Sequence, residues 1–340
     1  MNQRVIVTAY GEADVLRLMD EPLQAPASGE VLIRVEAAGV ALGDVMRRKG
    51  VYPGGPKPPF TPGYDGVGRI EAVGERVSGL RAGERVAFCL DGTGAYSRYV
   101  RVREQDAIPV PASIDPYEAV CLVLNYVTAY QLLHRAVKKE GMRRILVHGA
   151  AGGVGTALLE LGRVLGLTMI GTASEPKLAS VRGYGAMGID YRSEDFVQAV
   201  LERYPDGVDA VFDPIGGDNW RRSAQTLRPG GALVGFGFTS VLTAGPDAEA
   251  ASRLRGDWSR LSQGQWHSEK PVLASAYSVT QWKREHPSWF RLDLQALLQL
   301  LSEGRIKPVV HAVIPLQEAA EAHRLIESSR TIGKIIVDCL

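Results

Sequence analysis

The chain has 340 residues, enough for about two domains, and its 39 basic and 38 acidic residues leave a net charge of +1. That balance presents no basic patch for nucleic acid or an anionic membrane surface, and no apolar run reaches the ~20 residues that span a bilayer. Cys89, Cys121 and Cys339 are scattered and odd in number, which argues against a disulfide framework and for a reducing, cytoplasmic setting; the first ten residues read as a strand and not as a signal peptide.

Residues 1–123 read mostly as strand. Segments 5–8, 15–19 and 31–38 cluster or alternate apolar residues between turn signals such as Ala27-Ser28-Gly29. Residues 44–49 suit one short helix with Asp44 as its cap. Residues 51–60 carry four prolines, which excludes regular structure. Further strands are expected at 67–73, 85–88 and 95–102, giving a compact, partly closed β domain. The texture changes at Asp115, a plausible N-cap with Pro116 in the first turn of a helix over 116–124. A second helix is expected over 127–137.

Residues 144–170 organise the rest. An apolar run at 145–148 reads as a buried strand, 149–155 as a glycine-rich turn, 156–165 as a helix and 167–170 as a second strand. Strand, tight glycine turn, helix, strand is a dinucleotide-binding unit. Gly152 and Gly153 let peptide N–H groups approach a pyrophosphate, and the helix turns its amino end toward those oxygens, so Ala151, Gly152, Gly153 and Val154 are the candidate contacts. Gly155 lets helix and strand pack closely; the first glycine of the usual fingerprint is Ala150 here. Helices at 175–184 and 196–204 then alternate with strands at 189–191, 208–212 and 232–236, which implies a parallel, doubly wound α/β sheet. Residues 243–270 break this rhythm and read as an insert whose Trp258 and Trp266 either form a lid or pack locally. Helices at 289–303 and 316–328 and a last strand at 331–338 have no place on that sheet, so the tail is expected to return to the first domain.

In this order the chain resembles the medium-chain dehydrogenase/reductases, specifically the zinc-independent quinone oxidoreductases and their vesicle-membrane-protein-like subgroup. The resemblance is carried by G-D-V-M-R-R-K-G-V-Y-P (43–53), T-P-G-Y-D-G-V-G (61–68), L-V-L-N-Y-V-T-A-Y (122–130), H-G-A-A-G-G-V-G (148–155), G-T-A-S-E-P-K (171–177), I-D-Y-R (189–192), F-D-P-I-G-G (212–217) and I-K-P (306–308). It implies a Rossmann domain plus a discontinuous GroES-like β-rich catalytic domain, divided as 1–123, 124–275 and 276–340, and a homodimer. Zinc-dependent relatives place their ligands at positions that align with Ala41, Tyr64 and Leu124. Two of these cannot bind a metal and neutral tyrosine is a poor ligand, so no metal is expected.

The second strand lacks the acidic residue that would hold a ribose 2′-hydroxyl: counting reaches Thr172, flanked by Gly171 and Ala173. Donors and cations stand nearby instead. By resemblance, Ser174, Lys177 and Tyr191 grip a 2′-phosphate, with Arg192 adjacent, so the expected cofactor is NADPH. Resemblance also puts Phe236, Gly237, Phe238, Asn125 and Thr128 near the nicotinamide. Asp44 remains where the family's N-x-x-D motif has it, but Ala41 replaces the asparagine; Asp44 either positions the cofactor or caps its helix. The expected chemistry is hydride transfer from NADPH to a small quinone or α,β-unsaturated carbonyl. Tyr52 is the first candidate donor to the developing oxyanion, since an unshifted phenol titrates near 10 and stays protonated at neutral pH; Tyr64 is the second. Alternatives are a 2-enoyl thioester reductase, for which Arg47, Arg48 and Lys49 would serve the thioester's anionic end, and a non-catalytic NADPH-binding protein.

Overall fold

Two units divide the chain, one made of Met1–Val127 with His286–Leu340 and the other of Thr128–Glu285. A computed structural model describes residues 1–138, 141–242 and 248–340. The sequence places the divisions near 123/124 and 275/276. The later second division follows from the strand Leu273–Ala276 and the helix Val279–Glu285, both in the Thr128–Glu285 unit.

In the Thr128–Glu285 unit six strands form one parallel sheet. Their order is Met187–Asp190, Thr168–Ala173, Arg144–Val147, Val208–Asp213, Leu227–Gly235, Leu273–Ala276. Numbered along the chain this is 3-2-1-4-5-6, the doubly wound dinucleotide-binding order. Ile145, Leu146 and Val147 are sealed on both faces, which is why their run is uniformly apolar and does not alternate. The order reverses between Arg144–Val147 and Val208–Asp213, so the ligand crevice of such a sheet lies at the carboxyl ends of those two strands.

Four elements of this unit are absent from the sequence reading. Helices Asp218–Gln225, Ala248–Ser262 and Val279–Glu285 and the strand Leu273–Ala276 are all regular. The segment read as an insert breaking the rhythm carries the helix Ala248–Ser262; its residues 243–247 lie outside the described residues. Leu254 and Leu261 bury one side of that helix, so tertiary packing outweighs its glycine and many polar residues. Trp258 packs on Trp220 and edge-on to Phe238, and Trp266 stands edge-on to Trp220. The pair therefore packs within its own unit.

The other unit is β-rich, with a seven-stranded sheet ordered Val310–Pro315, Lys334–Asp338, Glu30–Val40, Asp65–Val73, Arg85–Cys89, Ile108–Pro109, and Tyr99–Arg103 also paired to Glu30–Val40. Asn2–Val7 and Leu16–Glu21 make a separate antiparallel pair. The carboxyl-terminal strand pairs Ile335–Asp338 antiparallel with Ala37–Val40, which ties the end of the chain into this sheet. The strand expected at 95–102 begins only at Tyr99; before it, Tyr96 and Ser97 spend their backbone groups on Pro62, Val5 and Ala95. Val310–Pro315 was not anticipated, being an edge strand whose residues are all partly exposed or exposed and which carries His311. The Asp115 N-cap accepts from the Tyr117 and Glu118 N–H groups with Pro116 at the first position, as read from the sequence. Among the described residues no helix is long and apolar enough to cross a membrane.

Candidate active site

The strand Arg144–Val147 ends at His148, and the chain turns sharply through Gly149, at φ 63°, into the helix Gly153–Val164. Ala150 N–H bonds the Thr172 carbonyl and Gly152 N–H bonds that of Gly149, so these two peptides are spent on the turn itself. Those of Gly153 and Val154 open the twelve-residue helix, and Gly152 brings no capping side chain. The first turn thus keeps free donors at the positive end of the helix dipole. A Cβ on Gly155 would run into the Gly149 carbonyl, so only glycine allows this approach. The turn fits a dinucleotide pyrophosphate. Ala151 is buried, while Gly152, Gly153 and Val154 are partly exposed.

Beneath the turn lies a buried polar network. His148 Nδ1 is 3.0 Å from Thr172 Oγ1, its Nε2 is 3.0 Å from Ser223 Oγ, and Ser223 donates to Asp213 at 2.8 Å. Asp213 also accepts from the Ile215 and Gly216 N–H groups and from Asn219. Burial holds His148 below its ordinary value, so it is neutral. The network ties the ends of three adjacent strands to the helix Asp218–Gln225. It also explains why Thr172 carries no acid: that position points inward to His148 and is buried.

At the end of the second strand Ser174 is buried, Lys177 is half-buried and Tyr191 and Arg192 are exposed. Lys177 is held below its ordinary value first by burial and then by the charge of Arg192, so two cations share this corner. Arg192 also lies 5.8 Å from the centre of the Tyr191 ring. Glu175 is exposed in the first turn that follows Ser174. Hydroxyls and two cations at this spot suit a phosphate, and Glu175 is its one discordant charge. Phe236, Gly237 and Phe238 follow the strand Leu227–Gly235 and do not lie within it; Phe236 N–H bonds the Asp213 carbonyl, and Phe238 is held by Trp258. A cavity of about 730 Å³ on the same unit is lined in part by Asp218, Arg221, Arg253, Asp257 and Arg260. No residue of the glycine turn lines it, and each of its arginines is paired with a carboxylate.

In the β-rich unit the helix Leu42–Arg48 collects the other candidates. Asp44 is not its N-cap, as the sequence suggested, but its third residue; Ala41 stands at the cap with no side chain to offer, so the carboxylate reaches back instead. It accepts from Ala41 N–H at 2.9 Å, Gly63 N–H at 3.1 Å and Tyr96 Oη at 3.4 Å. Complete burial pushes Asp44 up to about 7 despite those donors. Asp44 is therefore spent on the protein, and a direct bond to cofactor has no geometric support here.

Tyr64 is buried and its hydroxyl accepts from Arg47, a residue the sequence reading treated only as one of three consecutive basic residues. The Arg47 guanidinium lies 3.8 Å from the centre of the Tyr52 ring and 4.5 Å from that of Tyr64. Burial, reinforced by Tyr52, raises the Tyr64 phenol well above its ordinary value, so it keeps its proton. Tyr52 is half-buried. The structure thus brings Tyr52 and Tyr64 together through a cation between them. Asn125 is buried in a π-helical turn, Leu122–Tyr126, and Leu124 N–H bonds Asp65. Thr128, in the other unit, is buried as well. Next to Tyr64, Asp65 forms a sealed ion pair with Lys334 at 2.9 Å. Among the described residues no group of three or more His, Cys, Asp or Glu is placed to hold a metal.

Family models match as "Alcohol dehydrogenase GroES-like domain" over residues 27–112 and "Zinc-binding dehydrogenase" over 185–337. The chain is 33% identical to a rat "Synaptic vesicle membrane protein VAT-1 homolog", covering 98% of this chain and 83% of that protein. It is also 33% identical to a "Quinone oxidoreductase" of Pseudomonas aeruginosa, covering 99% of each. Among solved structures, the Escherichia coli quinone oxidoreductase complexed with NADPH superposes with a TM-score of 0.85 at 28% identity, over 99% of both chains.

Proposed function

The chain belongs to the medium-chain dehydrogenase/reductase family, in the company of the quinone oxidoreductases, and on that premise we propose that it is an NADPH-dependent reductase of quinones or enones that works without zinc. The observation that carries this reading is the corner where Ser174, Lys177, Tyr191 and Arg192 meet with no acid on the second strand's end. That corner favours the 2′-phosphate that distinguishes NADPH from NADH. The donors of Gly153 and Val154 hold the pyrophosphate, and Ala151, Gly152, Phe236, Gly237, Phe238 and Thr128 line the remainder of the cofactor site on the same unit.

Bound NADPH supplies the hydride. The protein's share is to orient the acceptor, exclude water and meet the negative charge that grows on the carbonyl oxygen. Tyr52 and Tyr64 are the phenols for that task, and Tyr64 enters it protonated. Ala41 and Leu124 offer no metal ligand, so no Lewis acid of the zinc enzymes is part of the proposal. The exposed edge strand Leu273–Ala276, with Leu273 57% exposed, supports a homodimer built on sheet pairing. The compartment proposed is the cytoplasm, on the three buried free cysteines.

The test is NADPH oxidation followed by nicotinamide absorbance over a panel of quinones, enals, enones and enoyl thioesters. Turnover of quinones or enones is expected. Turnover of enoyl thioesters alone would move the chain to the thioester reductases, and tight NADPH binding with no turnover would make it a binding protein.

A further inference from the structure

We infer that Arg47 is the group that receives the substrate's carbonyl oxygen as it becomes an oxyanion; this rests on the reductase reading above. Arg47 is 5% exposed, yet among the described residues no carboxylate stands within ion-pair distance of it. Its neighbour Arg48 is fully buried too, but meets Glu327 at 2.8 Å, as a buried charge ordinarily must. The nearest acid along the helix, Asp44, is spent on Ala41, Gly63 and Tyr96 and carries a proton up to about neutral pH. A desolvated cation that feels Asp44 only at a distance and makes no ion pair is poised for a negative charge that arrives from outside.

The guanidinium is also held still. One terminal nitrogen bonds the Gly43 carbonyl and the Tyr64 hydroxyl, and the plane is flanked by two tyrosine rings. Gly92, at φ 95°, leaves room for it: a Cβ there would come within 2.5 Å of the guanidinium carbon. Nε and the second terminal nitrogen make no hydrogen bond to the described residues, and neither is among the sealed, unpartnered atoms. Three N–H groups in a fixed fork therefore remain for a ligand. The Tyr64 O–H, which accepts from Arg47, donates to no described residue and adds a fourth donor from the same point.

For an enone the balance is as follows. Hydride forms a new C–H bond at the β-carbon. The C=C pair shifts to the α-carbon–carbonyl bond, and the C=O pair moves onto oxygen. The acceptor gains two electrons, which the nicotinamide loses, and water supplies the proton that converts the enolate to the saturated ketone. Arg47 stays charged throughout, so it stabilises the enolate without protonating it.

The experiment compares wild type, Arg47→Met and Arg47→Lys as full chains of matched circular dichroism. Two readouts are taken: kcat and KM with an enone or quinone, and uptake of 4-nitrophenol in the presence of NADP⁺. The phenolate of that probe mimics the enolate, and its visible absorption band appears only on ionisation. Expected are a fall of roughly 10²–10³ in kcat for Arg47→Met, the range for loss of one oxyanion donor, a smaller fall for Arg47→Lys, and phenolate uptake by wild type that Arg47→Met abolishes. NADPH affinity should stay within about threefold. Wild-type turnover with both readouts unchanged in Arg47→Met overturns the role of Arg47 and leaves the reductase reading standing. No turnover by wild type, whatever the phenolate does, overturns both. If Arg47→Met fails to fold, Arg47→Lys with undiminished kcat and uptake still overturns the proposal, since an ammonium cannot reproduce the fork.

Discussion

The Lys334–Asp65 pair is the sharpest stability test in the β-rich unit. Both side chains are sealed, at 2% and 0% residue exposure, with Nζ to Oδ2 at 2.9 Å, while Asp65 Oδ1 is buried with no partner. Lys334→Met removes the carboxylate's ion-pair partner among the described residues and leaves it in the core supported by backbone N–H groups of Asp65 and Leu124. Breaking one side of a buried pair costs about 3–5 kcal/mol, which for a unit of this size lowers Tm by very roughly 6–20 °C. The double variant Lys334→Met with Asp65→Leu removes both charges and should recover most of the loss. The sign of the pH dependence is definite. Burial already raises Asp65, and without Lys334 it rises further. A raised carboxyl contributes most below its unfolded value near 4 and loses that contribution as pH climbs, so the deficit of Lys334→Met should shrink on acidification from pH 7 to 5. Urea denaturation followed by far-ultraviolet circular dichroism measures wild type and both variants. A loss under 1 kcal/mol for Lys334→Met, or a double variant no better than the single, would refute the reasoning.

Three further outcomes are expected. Asp44→Asn should flatten a slope in stability: the wild-type carboxyl, raised to about 7, loses its contribution as pH rises from 4 to 7, on the order of 4 kcal/mol at 1.36 kcal/mol per unit, and equal slopes in melts across that range would contradict the burial argument. Lys177→Glu should weaken NADPH at least about tenfold by charge reversal while changing NADH far less; fluorescence titrations that show equal losses reject the phosphate corner. Dialysis against a strong chelator should leave turnover intact, and a loss restored by added zinc would overturn the proposal of zinc independence.

The fold was legible where burial is two-sided or capping is local. Ile145, Leu146 and Val147 announce a central parallel strand because both faces are covered, and Asp115-Pro116 announces a helix start because the bonds lie within three residues. Leu273–Ala276 was not legible, since an edge strand of one exposed leucine and three small, partly exposed residues leaves little periodic signal. The helix Ala248–Ser262 hid behind its polar face, its hold coming from Leu254, Leu261 and tryptophans distant in sequence. In the site, the glycine turn was readable because its function constrains backbone. Arg47 was not: three consecutive basic residues look like a solvated face, yet two of them turn inward, Arg48 onto Glu327 and Arg47 among Tyr52, Tyr64 and Gly92.

The aromatic cluster around Trp220 has an optical corollary. The protein has five tryptophans, and Trp220, Trp258, Trp266 and Trp282 all fall in the Thr128–Glu285 unit, with Trp289 alone in the other. Indole emission is thus a nearly one-sided gauge: a melt watched by fluorescence tracks the nucleotide-binding half, and damage done at Lys334 registers there faintly. Replacing Trp289 by phenylalanine would make the gauge wholly one-sided, letting the two halves be timed separately in a single cuvette by emission and ellipticity.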